Sequence, residues 1–308
     1  MNDRHIVVGA GPVGRHVAQL LAERGSEVTV VTRSGTSTGI DGVSHERADA
    51  SDPDQLSAIA YGATVLYNCA NPGVYTSWSK VWPPLAASFL EAAERSGAVL
   101  AIAGNLYPYG PVNGPMAEGL PDAATDTKGI LRARMWADAK SAHGSGRIRA
   151  VEVRGSDYVG LGVGDGGHLS RQVPSIAKGK RAWVIGSADE PHSFTDVLDM
   201  ARMLIAAAED DTAHGQIWHA PTNPPRTQRE AITDVLAAMG KPPVGVTGIP
   251  SGVIRTAGIF SPLMRELSAM SYQWIRPYVL NDVASRAHFG VVPTPWDEVC
   301  RRTAKLSR

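Results

Sequence analysis

A glycine-rich turn between a short apolar run and an amphipathic segment constrains this chain more than any other feature. Residues 5–8 have the pattern of a buried strand, and Gly9, Gly11 and Gly14 follow in the spacing G-x-G-x-x-G. In such a turn the first glycine bends the chain sharply, the second lets a pyrophosphate approach the backbone, and the third lets the next helix pack closely. The spacing therefore predicts a Rossmann-type dinucleotide site, with a glycine turn that holds no ligand as the alternative.

Pro12 and Val13 open the helix that follows this turn. The N-terminus of such a helix carries unpaired N–H groups and the positive end of the helix dipole, which favour phosphate groups. We therefore predict that Pro12 and Val13 bind the dinucleotide together with the three glycines.

Short apolar or β-branched runs alternate with amphipathic segments along the first half of the chain. After the glycine turn these runs lie at 28–31, 63–69, 98–103 and 148–153. The alternation predicts an α/β fold with a doubly wound, parallel, Rossmann-type sheet. Glycine and proline become frequent later in the chain, so we predict a dinucleotide-binding domain over 1–160 and a smaller, mixed α/β substrate subdomain over 161–308. The strand region 184–197 is a candidate to return to the first domain.

The residues at the end of the second strand select the kind of dinucleotide. An NAD site places Asp or Glu near this position to accept hydrogen bonds from the ribose, whereas this chain has Thr32, Arg33 and Ser34. An arginine and two hydroxyls suit a 2′-phosphate by charge and by geometry. The sequence therefore favours NADP(H) over NAD(H), and a solvated arginine in a surface turn is the alternative.

Composition narrows the classes of partner. Thirty basic residues balance thirty acidic ones, and Cys69 and Cys300, the two cysteines, lie far apart. No overall field attracts nucleic acid or an anionic membrane, and no spacing predicts a metal site or a disulfide framework. The chain shows neither a signal-peptide pattern nor an apolar stretch of about 20 residues. We expect a cytoplasmic protein with a small-molecule substrate, and its oligomeric state stays open, with a homodimer among the arrangements.

Several segments resemble, in the correct order, the motifs of one enzyme family. They lie at 68–71, 107–110, 154–160 and 192–197. Through them the chain resembles the extended short-chain dehydrogenase/reductase family, the NAD(P)-dependent epimerases and dehydratases. The resemblance implies that Asp49, followed by Ala50, contacts the adenine, and that Ala70 and Asn71 line the cofactor.

The catalytic positions depart from this family. Asn105 stands where the family has serine or threonine, and Lys128 and Arg132 replace the tyrosine and lysine of Y-x-x-x-K. A neighbouring cation favours a neutral amine, so we hypothesise that Lys128 donates the proton while Asn105 hydrogen-bonds the developing oxyanion. Tyr107 is a second candidate donor. In the alternative interpretation Lys128 and Arg132 are solvated residues on an exposed helix face.

Two functions remain open on these residues. The leading hypothesis is an atypical NADP(H)-dependent oxidoreductase or epimerase that acts on a small organic carbonyl or alcohol. The alternative is a catalytically inactive dinucleotide-binding sensor or regulatory protein, which the missing serine, tyrosine and lysine support. His168, in a glycine-rich segment, either lines the substrate cleft or is exposed in a loop.

Overall fold

A computed structural model of the chain describes residues 3–73 and 75–305. The strands within these residues are β1 (Arg4–Val8), β2 (Glu27–Thr32), β3 (Val43–Arg47), β4 (Val65–Asn68), β5 (Val99–Asn105), β6 (Arg149–Gly155), β7 (Asp157–Val159), β8 (Ala182–Ile185), β9 (Phe194–Asp196), β10 (Ile217–His219) and β11 (Val246–Ile249). The helices are α1 (Pro12–Glu23), α2 (Pro53–Ala60), α3 (Trp78–Ser96), α4 (Thr127–Gly144), α5 (Val173–Ile176), α6 (Val197–Glu209), α7 (Gln228–Ala238), α8 (Ser251–Ala257), α9 (Pro262–Ala269), α10 (Tyr272–Ile275), α11 (Val283–Phe289) and α12 (Trp296–Ala304).

Seven of these strands form one parallel sheet in the order β10-β6-β5-β4-β1-β2-β3. The strands β1 and β4 near its centre are almost wholly buried, as expected when helices cover both faces of a parallel sheet. One face packs on α2, α3 and α4 through residues such as Leu56, Phe89 and Met135. The other packs on α1 and α6 through residues such as Leu21 and Leu204. The predicted doubly wound α/β fold is confirmed.

The second half of the chain contributes both to this sheet and to a smaller unit. The helix α6 packs beside α1, and β10 adds the seventh strand next to β6. Residues 197–219 thus lie with the seven-stranded sheet, although the predicted boundary at 160 places them in the substrate subdomain. The region 184–197 divides: the end of β8 pairs with β11 in a separate two-stranded sheet, whereas β9 pairs with β7. Residues 197–209 lie with the central sheet because the apolar face of α6 is buried against the same sheet face as α1.

Two further observations complete the fold. The strands β7 and β9 pair in parallel directly after β6, which brings Asp157 and Asp196 to the carboxyl end of the central sheet. No helix in the part of the chain that the structure describes is long and apolar enough to cross a membrane.

Candidate active site

A cleft lies at the carboxyl ends of β1, β4, β5 and β6. In open α/β sheets this edge is where ligands bind. The described residues that line the cleft are Gly11, Pro12, Val13, Cys69, Ala70, Asn71, Trp78, Trp82, Ala103, Gly104, Asn105, Leu106, Tyr107, Arg132, Gly155, Ser156, Asp157, Tyr158, Val163, Gly166, Gly167, His168, Val197 and Tyr278. The cleft thus joins the glycine turn to three of the four predicted catalytic residues.

The three glycines of the turn meet three different steric demands. Gly9 has φ +104°, and a Cβ there would lie 2.6 Å from the carbonyl oxygen of Cys69. A Cβ on Gly14 would lie 2.0 Å from the carbonyl oxygen of Gly9, so this glycine allows α1 to pack against the turn. A Cβ on Gly11 would have no atom within 4 Å, and this residue lines the cleft.

The N-terminus of α1 provides the polar groups beside this open space. Gly11 precedes the helix, Pro12 begins it, and no side chain caps its first N–H groups. Uncapped N–H groups next to a glycine with free space suit a phosphate, so the local geometry fits a dinucleotide.

At the end of β2, two hydroxyls make hydrogen bonds within the turn, whereas the arginine between them is in no ion pair among the described residues. The Thr32 hydroxyl accepts a hydrogen bond from the Gly35 amide at 3.0 Å, and the Ser34 hydroxyl accepts one from Thr36 Oγ1 at 2.9 Å. Both hydroxyls therefore support the turn. Arg33 is exposed, and none of the ion pairs among the described residues includes it.

Asp49 and Ala50 follow β3, the strand next to β2. Asp49 is exposed and accepts hydrogen bonds from the hydroxyl of Ser51 at 2.6 Å and from its amide at 3.0 Å. These bonds, with the positive charge of Arg33, hold the pKa of Asp49 below its usual range. Ala50 is buried. Residues 32–34 and 49 thus share one edge of the sheet.

Asn105 and Tyr107 meet at the end of β5. Both side chains are half-buried and line the cleft, and Asn105 Oδ1 accepts a hydrogen bond from the Tyr107 amide at 3.1 Å. The Tyr107 ring lies beside Trp78, with 6.4 Å between ring centroids. Ala70 and Asn71, at the end of β4, line the same cleft.

Arg132 and Lys128 are both buried, so the interpretation that they are solvated on an exposed face is wrong. Arg132 is 4% exposed and Lys128 is 2% exposed. Arg132 lines the cleft and donates a hydrogen bond to the Ala103 carbonyl at 2.6 Å, and its burial lowers the pKa of the guanidinium. The Lys128 ammonium instead pairs with Glu266 of α9. Lys128 is not among the described residues that line the cleft.

A second polar group lies where β6 leads into β7. Asp157 lines the cleft, and it accepts hydrogen bonds from His192 Nε2 at 2.9 Å and from Trp274 Nε1 at 3.4 Å. Burial acts to raise the pKa of Asp157, but His168, His192 and these hydrogen bonds outweigh it, so the carboxyl is held below its usual range. The group is therefore a carboxylate at neutral pH.

His168 is half-buried and lines the cleft, with its ring centroid 4.3 Å from that of Trp274. Burial lowers the pKa of His168 to about 4; Asp157 opposes this shift and Arg171 adds to it. The imidazole is accordingly neutral at neutral pH.

Sequence reasoning missed Trp82 and Asp157 as cleft residues. Asp157 stands where the family motif R-x-x-N-x-Y-G has asparagine, so that substitution was an available signal. Trp82 gave none, because a tryptophan in an amphipathic helix usually belongs to the core.

The chain was compared with known proteins. The model of the NAD dependent epimerase/dehydratase family matches residues 5–220. The comparison with curated proteins gives no match.

Solved structures of similar fold cover almost the whole chain. The dTDP-glucose 4,6-dehydratase of Bacillus anthracis str. Ames, in complex with NAD, is 14% identical with a TM-score of 0.80, over 98% of this chain and 96% of that chain. The UDP-glucose 4-epimerase of Thermus thermophilus, in complex with NAD, is 20% identical with a TM-score of 0.79, over 98% and 97%. The UDP-glucuronic acid 4-epimerase of Bacillus cereus, in complex with NAD, is 15% identical with a TM-score of 0.78, over 97% and 96%.

At these identities the solved structures confirm the fold, and the family model confirms the resemblance found in the sequence. The family model matches more than half of the chain. The chain therefore belongs to the NAD dependent epimerase/dehydratase family.

Proposed function

We propose that this chain is an NADP(H)-dependent oxidoreductase or epimerase that acts on a small organic carbonyl or alcohol. The observation that carries the proposal is the cleft itself. Asn105, Tyr107 and Arg132 line the same cleft as the uncapped helix N-terminus at Gly11. A proton donor, a neutral hydrogen-bond donor and a cation thus lie in one cleft with a site for phosphate.

The cofactor would be held along the carboxyl edge of the sheet. Gly11, Pro12 and Val13 would bind the pyrophosphate, and Ala70 and Asn71 would line the remainder. A bound nicotinamide would supply the hydride donor or acceptor.

Arg33 supports a preference for NADP(H). Its guanidinium is exposed and has no ion pair among the described residues, whereas the flanking hydroxyls are engaged in the turn. A 2′-phosphate would give this arginine a charge-assisted, bidentate partner. The exposed Asp49 nearby would suit the adenine end, as the family resemblance implies.

Tyr107 is the proton donor that the geometry favours. The oxygen of the Asn105 amide is occupied by the Tyr107 N–H, so the amide nitrogen remains to donate to a substrate oxygen. The Tyr107 hydroxyl would then give a proton to that oxygen in reduction, or take one in oxidation. The positive charge of Arg132 favours the negative charge that develops there. Lys128 is less suited, because its ammonium is paired with Glu266 and Lys128 is not among the described residues that line the cleft.

The experiment is a screen of aldehydes, ketones and enones with NADPH, followed by the absorbance of the reduced nicotinamide. We expect Tyr107→Phe to lose about 10²-fold or more in turnover while it retains NADPH affinity, since a general acid contributes about that much. Lys128→Met is the matched control and should retain most of the turnover. If Lys128→Met abolishes turnover and Tyr107→Phe does not, the assignment of the donor is overturned.

The same screen distinguishes the regulatory alternative, which the departure from the serine, tyrosine and lysine triad supports. A chain that binds NADPH tightly and oxidises none of it across the screen would contradict the proposed turnover and favour a sensor of the dinucleotide. A chain that does not bind NADPH would contradict both functions.

A further inference from the structure

Four residues that line the cleft carry a buried hydrogen-bond donor with no partner among the described residues: Arg132, Trp82, Ser156 and Tyr278. Two of these donors are N–H groups, Nε of Arg132 and Nε1 of Trp82. Arg132 is 4% exposed and Trp82 is 1% exposed, and both line the cleft. The guanidinium carbon of Arg132 lies 4.9 Å from the centroid of the Trp82 ring, so the two donors belong to one wall. A buried donor without a partner is costly, and an acceptor from a ligand at this wall would remove that cost.

No carboxylate among the residues that the structure describes lies within ion-pair distance of Arg132. Burial lowers the pKa of Arg132 and the buried Glu152 acts to raise it, but Oε2 of Glu152 accepts a hydrogen bond from Arg154 at 3.0 Å. The exposed Asp122 is bound by Arg154 through both oxygens, at 2.6 and 3.0 Å. None of the ion pairs found among residues 3–73 and 75–305 includes Arg132. A buried charge is normally paired, so the missing partner points to an anion from outside the protein.

The acidic residue that lines the cleft does not fill this role. Asp157 is the one acid among the described lining residues, and its Oδ2 accepts hydrogen bonds from His192 and Trp274. The Arg132 wall is therefore formed by groups that can only donate: a guanidinium and an indole N–H.

We propose that Arg132 and Trp82 form a subsite for a substrate carboxylate, whose two oxygens accept one hydrogen bond each from Nε of Arg132 and Nε1 of Trp82. A carboxylate supplies both the two acceptors and the negative charge that this wall lacks. This inference rests on the proposed function and narrows its substrates to oxo- and hydroxy-carboxylic acids.

The experiment measures the binding of carboxylates and not their turnover, so the subsite is tested separately from the proposed activity. Calorimetric titrations with NADP⁺ present, which cannot reduce an oxo acid, would compare pyruvate and benzoylformate with their primary amides and with methyl phosphate. We expect each carboxylate to bind at least about tenfold more tightly than its amide, and more tightly than methyl phosphate.

Matched variants locate the effect. Trp82→Phe keeps the aromatic ring but removes the unpartnered N–H, and it should weaken carboxylate binding about tenfold. Trp78→Phe is the control: Trp78 lies one turn earlier in α3 and lines the same cleft, but its Nε1 already donates to the Pro72 carbonyl at 2.8 Å. It should retain the preference for acid over amide. Arg132→Gln should abolish that preference.

Three results would overturn the subsite: equal binding of acid and amide, tighter binding of methyl phosphate, or an unchanged preference in folded Trp82→Phe. The proposed function fails separately. If carboxylates bind but NADPH is not oxidised, the subsite is supported and the proposed activity is contradicted. If neutral ketones are reduced and acids are not preferred, the proposed activity is supported and the subsite is contradicted.

Discussion

The imidazole of His168 is an example of a side chain whose chemistry is set by its neighbours. Arg171 contacts its Nδ1, and because a guanidinium can only donate, Nδ1 must accept and Nε2 must carry the hydrogen. A protonated ring would lose this contact and place a second cation beside Arg171. His168 therefore lines the cleft as a neutral imidazole.

This neutrality predicts a pH dependence of stability. The pKa of His168 is about 4 in the folded chain, against an ordinary value of 6.5. Between these values the unfolded chain binds a proton that the folded chain does not, so the free energy of unfolding falls as the pH drops from 6.5 to 4. His168→Asn should reduce this loss, measured by urea unfolding at about pH 7 and about pH 5.

A part of the slope should remain in that variant. His16 lies in α1, and burial lowers its pKa to about 4 as well, so it destabilises the folded chain over the same range. If His168→Asn leaves the difference between the two pH values unchanged, the ring of His168 is not held neutral as the structure indicates.

The sequence does not predict which charged side chains are buried or which residues they contact. The spacing of Lys128 and Arg132 correctly places both on α4, yet it does not reveal that both are buried or that their partners differ. Arg132 lies in the cleft, and Lys128 pairs with Glu266, which is 138 residues away in sequence. Contacts over such a distance depend on the assembled fold and leave no local pattern.

At the scale of elements, the entry to α1 depends on Gly14. Gly14→Ala would place a Cβ 2.0 Å from the Gly9 carbonyl oxygen. Because that oxygen is a backbone atom and a Cβ has no torsion that moves it away, the helix has to shift. Forced overpacking of this kind costs about 1–3 kcal/mol, so we expect the free energy of unfolding to fall by about that amount in urea titrations.

Gly11→Ala is the matched control, since a Cβ at this position has no atom within 4 Å. Its free energy of unfolding should stay within about 0.5 kcal/mol of the parent. Equal stability of the two variants would show that Gly14 does not set the distance between α1 and the turn.

Elements were predictable where their patterns are local. The strands β1, β2, β4, β5 and β6 have apolar runs that the sequence shows within a few residues of their observed bounds. The strand β10 is three residues long, too short to be recognised alone, and only its pairing with β6 makes it the seventh strand. The boundary between the two halves was harder to predict for this reason.

At the scale of the whole molecule, strand order explains why one cleft collects residues from the entire chain. The strands β4, β1 and β5 come from the first half, and their carboxyl ends lie beside that of β6. The cleft is completed by His168, Val197 and Tyr278 from the second half. Glycine spacing and the Asn105–Tyr107 segment were readable in advance because each is a local motif. Trp82 joins the site only through the packing of α3 on the sheet.

The most direct measurement of the central claim is a pair of calorimetric titrations of the whole chain, one with NADPH and one with NADH. NADPH should bind at least about tenfold more tightly, because a charge-assisted contact to Arg33 is worth about 1.5–3 kcal/mol. Arg33→Ala should remove that preference, and Gly11→Val should lose NADPH while it remains folded. Equal dissociation constants for the two dinucleotides would contradict the choice of NADP(H). Unimpaired NADPH binding by Gly11→Val would contradict the placement of the cofactor in this cleft.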